Sequence, residues 1–172
     1  MSHRCPSALL ATLAAALLAA LSSREAAALE PGAAVRVDPS FGPRIAEAVA
    51  DAAARLDTPA CAAVLTDFVD ESNGLTLAEN LAATGRTASE HVESLWFRGA
   101  PRLRPFTGRR VFAFTAPASS VVFLCREDLL RIQTQRRMLT AILVHEVLHT
   151  LGLQDDHPSS VAITERVLAR CF

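Results

Sequence analysis

The residue types and spacing best suited to chemistry lie in residues 141–155, AILVHEVLHTLGLQD, which include His145, Glu146 and His149. On a helix, residues four positions apart lie on one face, so His145 and His149 can direct two ring nitrogens at a single metal ion. Glu146 points about 100° away from His145 around the helix axis. It therefore borders the metal without crowding the histidines, where a general base for a metal-bound water is needed. The pattern predicts a zinc-binding helix that runs into a glycine turn.

The apolar surroundings of this motif favour a metal site over an unrelated pair of histidines. Residues 138–151 are apolar nearly all round, as in a helix buried at the centre of a domain, and Gly152 lets the chain turn away. Ionisable side chains in so apolar a helix are costly unless they serve a purpose. A histidine pair satisfied only by hydrogen bonds is therefore the weaker interpretation.

A third metal ligand has to be found, because catalytic zinc sites usually have three protein ligands and one position for water. Several residues downstream of the helix have suitable side chains. Asp156 would serve if the turn is wide, and His157 is an intrinsically better zinc ligand than a carboxylate. Glu165 lies on the last predicted helix and would reach the site from there.

The stretch His145-Glu-x-x-His149-x-x-Gly152-x-x-Asp155 is similar to the extended zinc motif of the metzincin metallopeptidases. In that clan the residue at the place of Asp155 binds zinc, and an aspartate there resembles the snapalysin-type secreted bacterial peptidases. The resemblance implies zinc bound by His145, His149 and Asp155, with Glu146 as the base. Metzincins also carry a downstream methionine turn, and no methionine follows Met138 in this chain. We therefore interpret the chain as a minimal zincin.

The function implied is that of an exported zinc-dependent peptidase, with Zn²⁺ as cofactor and a peptide or protein as substrate. A zinc-activated water would hydrolyse the peptide bond while Glu146 acts as general base. Two alternatives stay open at this stage. One is a non-catalytic exported module with a structural or vestigial metal site, and the other is a zinc amidase that acts on cell-wall peptide.

Two segments upstream of the motif are candidates for contact with a substrate. The predicted strand 119–125 would offer an edge with which an extended substrate pairs. Residues 98–110 hold two prolines, two glycines and five arginines. This loop is either a solvated connection or a basic wall that selects acidic groups of a substrate.

The N-terminal residues and the charge balance concern localisation and partners. Residues 1–28 contain Arg4, a small and apolar run over 8–21, and three alanines at 26–28, a pattern typical of a signal peptide. An uncut anchor helix is the alternative. We predict export to the periplasm or the extracellular space, with residues 29–172 as one domain. The net charge of −1 gives no pull toward nucleic acid or an anionic membrane.

Three cysteines, Cys61, Cys125 and Cys171, follow the predicted signal. In an oxidising compartment one disulfide is expected, with one thiol left over. Pairing of Cys125 with Cys171 is preferred, because it would pin the C-terminal segment to the core, although sequence alone leaves the connectivity open.

Periodicity predicts an α+β fold with a short antiparallel or mixed sheet packed on a central metal-binding helix. Trp96 and Phe97 are predicted to be core residues and His91 to be exposed. The predicted helices are 39–56, 75–83, 87–97, 127–135, 138–151 and 158–170, and the predicted strands are 61–69, 111–115 and 119–125.

Overall fold

Seven α-helices and a four-stranded mixed sheet form the framework of residues 35–100, 111–156 and 158–172, which are the residues described by the computed structural model. The predicted α+β class is confirmed. The predicted signal segment, residues 101–110 of the arginine-rich loop and His157 lie outside the described residues. In chain order the elements are β1 (Arg36–Val37), α1 (Pro43–Leu56), α2 (Pro59–Ala62), α3 (Leu77–Ala83), α4 (Ala88–Ser94), β2 (Trp96–Gly99), β3 (Ala113–Phe114), β4 (Val121–Leu124), α5 (Arg126–Ile132), α6 (Arg136–Thr150) and α7 (Ser160–Cys171).

Helix α6 is the centre of this framework. All its residues from Leu139 to Thr150 are buried, and it packs against α1, α7 and the strands β3 and β4. A helix covered on every side must be apolar all round, which is the pattern read from its sequence. No helix among the described residues is both long enough and apolar enough to cross a membrane.

The sheet has the strand order β1-β2-β4-β3. Strands β1, β2 and β4 are parallel, whereas β3 is antiparallel to β4. The predicted strand 119–125 is therefore not an edge strand, since β4 is paired on both sides. Among the described strands, β1 and β3 form the edges, so the prediction of β4 as a substrate-pairing edge is wrong.

Successive side chains point to opposite faces of the sheet, so the prediction that both Trp96 and Phe97 are core residues is right for Phe97 and wrong for Trp96. Phe97, Val122 and Leu124 are fully buried, and Phe97 pairs in register with Val122. The prediction for Phe97 is confirmed. Trp96 is 42% exposed, because successive residues of a strand point to opposite faces of the sheet.

The predicted strand 61–69 is wrong. Residues 59–66 instead form α2 and a 3₁₀ turn, Ala63–Thr66. The hydroxyl of Thr58 accepts a hydrogen bond from the backbone N–H of Cys61, and Pro59 occupies the first helical turn. Both are helix-start features, and they outweigh the short apolar run that suggested a strand.

Two predicted helices have different bounds in the structure. The predicted helix 39–56 is a 3₁₀ turn, Pro39–Phe41, followed by α1, since Gly42 takes a φ of 73° between them. The predicted helix 87–97 ends at Ser94, where the chain enters β2. His91 on α4 is buried, so its predicted exposure is wrong. Its Nε2 atom lies 2.8 Å from the hydroxyl of Thr150, which supplies a polar partner inside the core.

The disulfide joins Cys61 to Cys171 and leaves Cys125 as a free thiol. The preferred Cys125–Cys171 pairing is wrong because α7 packs against α2, which carries Cys61. Cys125 directly follows β4 on another part of the fold. The bond still ties the C-terminal helix to the core, which was the reason for expecting one at Cys171.

Candidate metal site

Helix α6 brings His145 and His149 together as their spacing predicts. Both side chains are buried, and their Nε2 atoms are 2.9 Å apart. The Oδ1 atom of Asp155, beyond the glycine turn, lies 3.8 Å from Nε2 of His145 and 3.5 Å from Nε2 of His149. The structure therefore gathers the three residues at which the motif predicted metal binding, with their ligand atoms within 4.8 Å of one another.

The other candidates for the third ligand are not part of this cluster. Among the described residues that have ligand atoms, only His145, His149 and Asp155 form a group of three or more close enough to share an ion. Asp156 and Glu165 are both exposed and lie outside it. His157 is not among the described residues.

The hydrogen bonds on the far side of each ring fix where its proton lies. Nδ1 of His149 is 2.8 Å from the carbonyl oxygen of Leu153, which can only accept, so Nδ1 carries the hydrogen. Nδ1 of His145 is 2.9 Å from the hydroxyl of Thr164, which in turn donates to the Ser160 carbonyl. The Thr164 oxygen therefore accepts the Nδ1 hydrogen of His145. In both neutral rings the Nε2 atom is left with a lone pair.

Two lone pairs that face each other across 2.9 Å repel unless something positive lies between them. A proton is held poorly there, because burial lowers the pKa of His145 to about 3, with the neighbouring His149 adding to the effect. A metal cation would satisfy both lone pairs and the Asp155 carboxylate together. The donor set of two imidazole nitrogens and one carboxylate oxygen is one that zinc binds readily.

The distances also suit an ion of this size. Tetrahedral zinc, with Zn–N bonds of 2.0–2.1 Å, requires ligand atoms about 3.3 Å apart. The three separations of 2.9, 3.5 and 3.8 Å bracket this value. Displacements of the three ligand atoms by a few tenths of an ångström would therefore give the separations that zinc requires.

Glu146 provides a further carboxyl group beside the site. Its side chain is buried, and its Oε2 atom has no hydrogen-bond partner among the described residues. Burial raises the pKa of Glu146 to about 8, and the charge of Asp155 adds to this rise. A buried carboxyl with one free oxygen and a high proton affinity is suited to taking up and releasing a proton.

The turn after α6 determines where Asp155 lies. Gly152 has a φ of 109°, which non-glycine residues rarely adopt, and its N–H donates to the His149 carbonyl. The N–H of Leu153 donates to the Leu148 carbonyl, which brings the Leu153 carbonyl under the His149 ring. The N–H of Ala118, between β3 and β4, also donates to the His149 carbonyl and links the sheet to this end of the helix.

Two groups that orient the histidines were not found from the sequence. Thr164 is 19 residues from His145 along the chain, and no local pattern connects them. The partner of His149 is the backbone carbonyl of Leu153, and the identity of the residue at 153 does not reveal that this carbonyl accepts a hydrogen bond. The glycine at 152 was the only signal that the chain returns toward the helix.

The chain matches no protein-family model, and no curated protein and no solved structure is significantly similar to it. The resemblance to metzincins therefore rests on the eleven residues of the motif.

Proposed function

We propose that the protein is an exported zinc-dependent peptidase whose metal is bound by His145, His149 and Asp155. The observation that supports this most strongly is the pair of buried Nε2 lone pairs, which face each other at 2.9 Å beside a carboxylate. Folding two imidazoles into this arrangement costs free energy unless a cation is bound. Zinc, when bound there, supplies a Lewis acid that lowers the pKa of water and polarises a carbonyl group.

The exposure of Asp155 favours a catalytic over a structural site. Its side chain is 58% exposed, whereas the two histidine side chains are almost completely covered. Structural zinc sites are typically closed by four protein ligands, and catalytic ones have three and an open position. The described residues offer three donors, with the carboxylate at the solvent side, where a substrate can enter.

Glu146 carries the proton transfer in this proposal. In its ionised form, which a cation bound at the neighbouring site would favour, the unpartnered Oε2 atom takes a proton from the attacking water, whose oxygen bonds to the carbonyl carbon of the scissile peptide. The carbon–nitrogen bond then breaks, and Oε2 returns the proton to the leaving amine. Thr164 and the Leu153 carbonyl keep the two rings in the tautomer that leaves Nε2 free throughout.

Strand β3 is the surface that we propose for an extended peptide substrate. It lies at the edge of the sheet formed by the described strands, and it packs against α6. An edge strand has unpaired backbone groups that can hydrogen-bond to another extended chain.

Export is supported by the disulfide as well as by the predicted signal in residues 1–28. The Cys61–Cys171 bond would persist in an oxidising compartment and be reduced in most cytosols. Mass spectrometry of the mature N-terminus tests this part of the proposal, and an N-terminus that still includes residues 1–28 would contradict it.

The substitution Glu146→Gln tests the peptidase proposal, since it preserves the shape of the side chain but removes its basicity. We expect one zinc per chain in both proteins by elemental analysis. Hydrolysis of an unstructured fluorogenic protein should fall about a hundredfold or more in the variant. Glu165→Gln, on the exposed side of α7, is the matched control and should remain active.

Two results would refute this function. Full hydrolysis by zinc-loaded Glu146→Gln would exclude Glu146 as the base. Unfolding of the wild-type protein as soon as a chelator removes its zinc would indicate a structural metal, whereas a catalytic site loses its metal with the fold intact.

A further inference from the structure

A second cluster of polar contacts lies directly behind the metal-binding turn. It consists of Asp70, which follows the 3₁₀ turn Ala63–Thr66, and Asn80 on α3. Nδ2 of Asn80 donates to Oδ2 of Asp70 at 3.1 Å and to the carbonyl oxygen of Leu151 at 2.8 Å. Both hydrogens of the Asn80 amide are therefore used, one within the cluster and one on the turn. We call the pair Asp70 and Asn80 the clasp.

Asp70 of the clasp also packs against Gly152 in the turn. A Cβ atom added at Gly152 would lie 2.7 Å from Cγ of Asp70, so the carboxylate packs directly against the glycine backbone. Asp70 is buried, and its other oxygen accepts hydrogen bonds from the N–H and the hydroxyl of Ser72. These contacts hold the carboxylate in one orientation. Gly152 is thus required for its φ and also because only a hydrogen fits beside Asp70.

The contacts fix three consecutive residues of the turn. Leu151 is held by Asn80, Gly152 lies against Asp70, and Leu153 is bound to α6 through the Leu148 carbonyl and the His149 ring. Asp155 follows only two residues later. Its ionic neighbours among the described residues are the two histidines, so its position depends on the direction in which the turn leads the chain.

We propose that Asp70 and Asn80 are positioning residues that hold the turn after α6 and thereby place Asp155 as the third metal ligand. This inference rests on the proposed metal site. Neither residue contacts the ligand atoms, and the clasp acts through the backbone of Leu151 and Gly152. Partners that orient metal ligands from outside typically change metal affinity by about 10- to 100-fold when they are replaced.

The isosteric substitution Asn80→Asp is the sharpest test, because it replaces the donating amide by an oxygen that faces Asp70 and the Leu151 carbonyl. We expect zinc Kd, measured by competition with a chromophoric chelator, to rise by about tenfold or more. Asn73→Ala is the matched control. It removes the contact to the Asn80 oxygen and the side-chain acceptor for the Leu75 N–H, but it involves neither Nδ2 contact, so its Kd should equal that of the wild type.

Combination with Asp155→Ala separates positioning from general destabilisation. If the clasp acts through Asp155, Asn80→Asp should change the zinc Kd little once that carboxylate is gone. An equal fold-change in both backgrounds, or a single variant that binds zinc as the Asn73→Ala control does, would overturn the proposal. Circular dichroism at the temperature of the titration checks that each chain is folded, and Asn80→Ala replaces Asn80→Asp if the latter does not fold.

Failure of the clasp and failure of the metal site give different results. If the wild type binds zinc, His149→Ala does not, and the Asn80 variants bind normally, only the clasp is wrong. If the wild type and His149→Ala are alike in binding no zinc, the metal site and the clasp proposal are both wrong. Zinc binding that depends on Asn80 without any peptidase activity would support the clasp and reject the peptidase.

Discussion

Replacing Thr164 by valine removes the group that fixes the proton on His145. The two side chains have nearly the same shape, but valine lacks the hydroxyl that lies 2.9 Å from Nδ1. Without this acceptor, the His145 ring would gain by moving its hydrogen to Nε2. That hydrogen could then be donated to Nε2 of His149, only 2.9 Å away. The variant would thus stabilise a tautomer in which Nε2 of His145 is blocked for metal binding.

The size of the effect follows from the hydrogen bond that is exchanged. To bind zinc, the variant must return the proton to Nδ1 and leave it unpaired in a buried site, which costs about 1–3 kcal/mol. Since 1.4 kcal/mol corresponds to about a tenfold change in an equilibrium constant, zinc Kd should rise by roughly 5- to 150-fold. In the wild type this free-energy cost is absent, because the Thr164 hydroxyl already stabilises the tautomer with the hydrogen on Nδ1 of His145.

Thr164→Ser is the matched control, since serine keeps the hydroxyl and loses only a methyl group. Titration of metal-free protein against a chromophoric chelator gives zinc Kd for the wild type and both variants. We expect Thr164→Ser to bind as the wild type does and Thr164→Val to bind more weakly. Equal Kd values for all three proteins would refute the tautomer argument.

Two further predictions concern stability. Cys61→Ser removes a disulfide between residues that are 110 apart in the chain, so the free energy of unfolding in denaturant should fall by about 4 kcal/mol. Cys125→Ser leaves the disulfide intact and should lower this free energy much less. Equal decreases in the two variants would contradict the prediction. His91 has its pKa lowered to about 4, by burial first and by Arg86 second. The ordinary pKa of histidine is about 6.5, so below this pH His91 is protonated in the unfolded chain but stays neutral in the folded chain until about pH 4. The free energy of unfolding should therefore fall as the pH is lowered from 6.5 to 4, by at most about 3 kcal/mol. In denaturation of metal-free protein, His91→Gln should lose this part of the acid dependence, and parallel pH curves for the two proteins would exclude it.

Elements with strong local patterns could be predicted from the sequence. The central helix was predicted over 138–151 and is α6, Arg136–Thr150, because its apolar residues are continuous and Gly152 ends it. The histidine spacing placed two ligand atoms on one face of that helix. Asp155 was predicted as a ligand by resemblance to a motif. Its approach to the histidines depends on the turn at Gly152, and the sequence indicates this turn because glycine readily adopts a positive φ.

Features that depend on distant parts of the chain could not be read in this way. His91 is buried because Thr150, 59 residues away, offers it a partner, although most of the other residues of α4 are polar. Cys171 pairs with Cys61 because α7 packs on α2, a contact that no local pattern encodes. Residues 61–69 show a different failure, since Thr58 and Pro59 did signal a helix start and the apolar run was given more weight.

The most direct test of the metal site is anomalous diffraction at the zinc edge from crystals of the protein loaded with zinc. We predict one strong peak per chain within about 2.2 Å of Nε2 of His145, Nε2 of His149 and a carboxylate oxygen of Asp155. A peak whose third ligand is Asp156, His157 or Glu165, or the absence of any peak at the two histidines, would contradict the site described above.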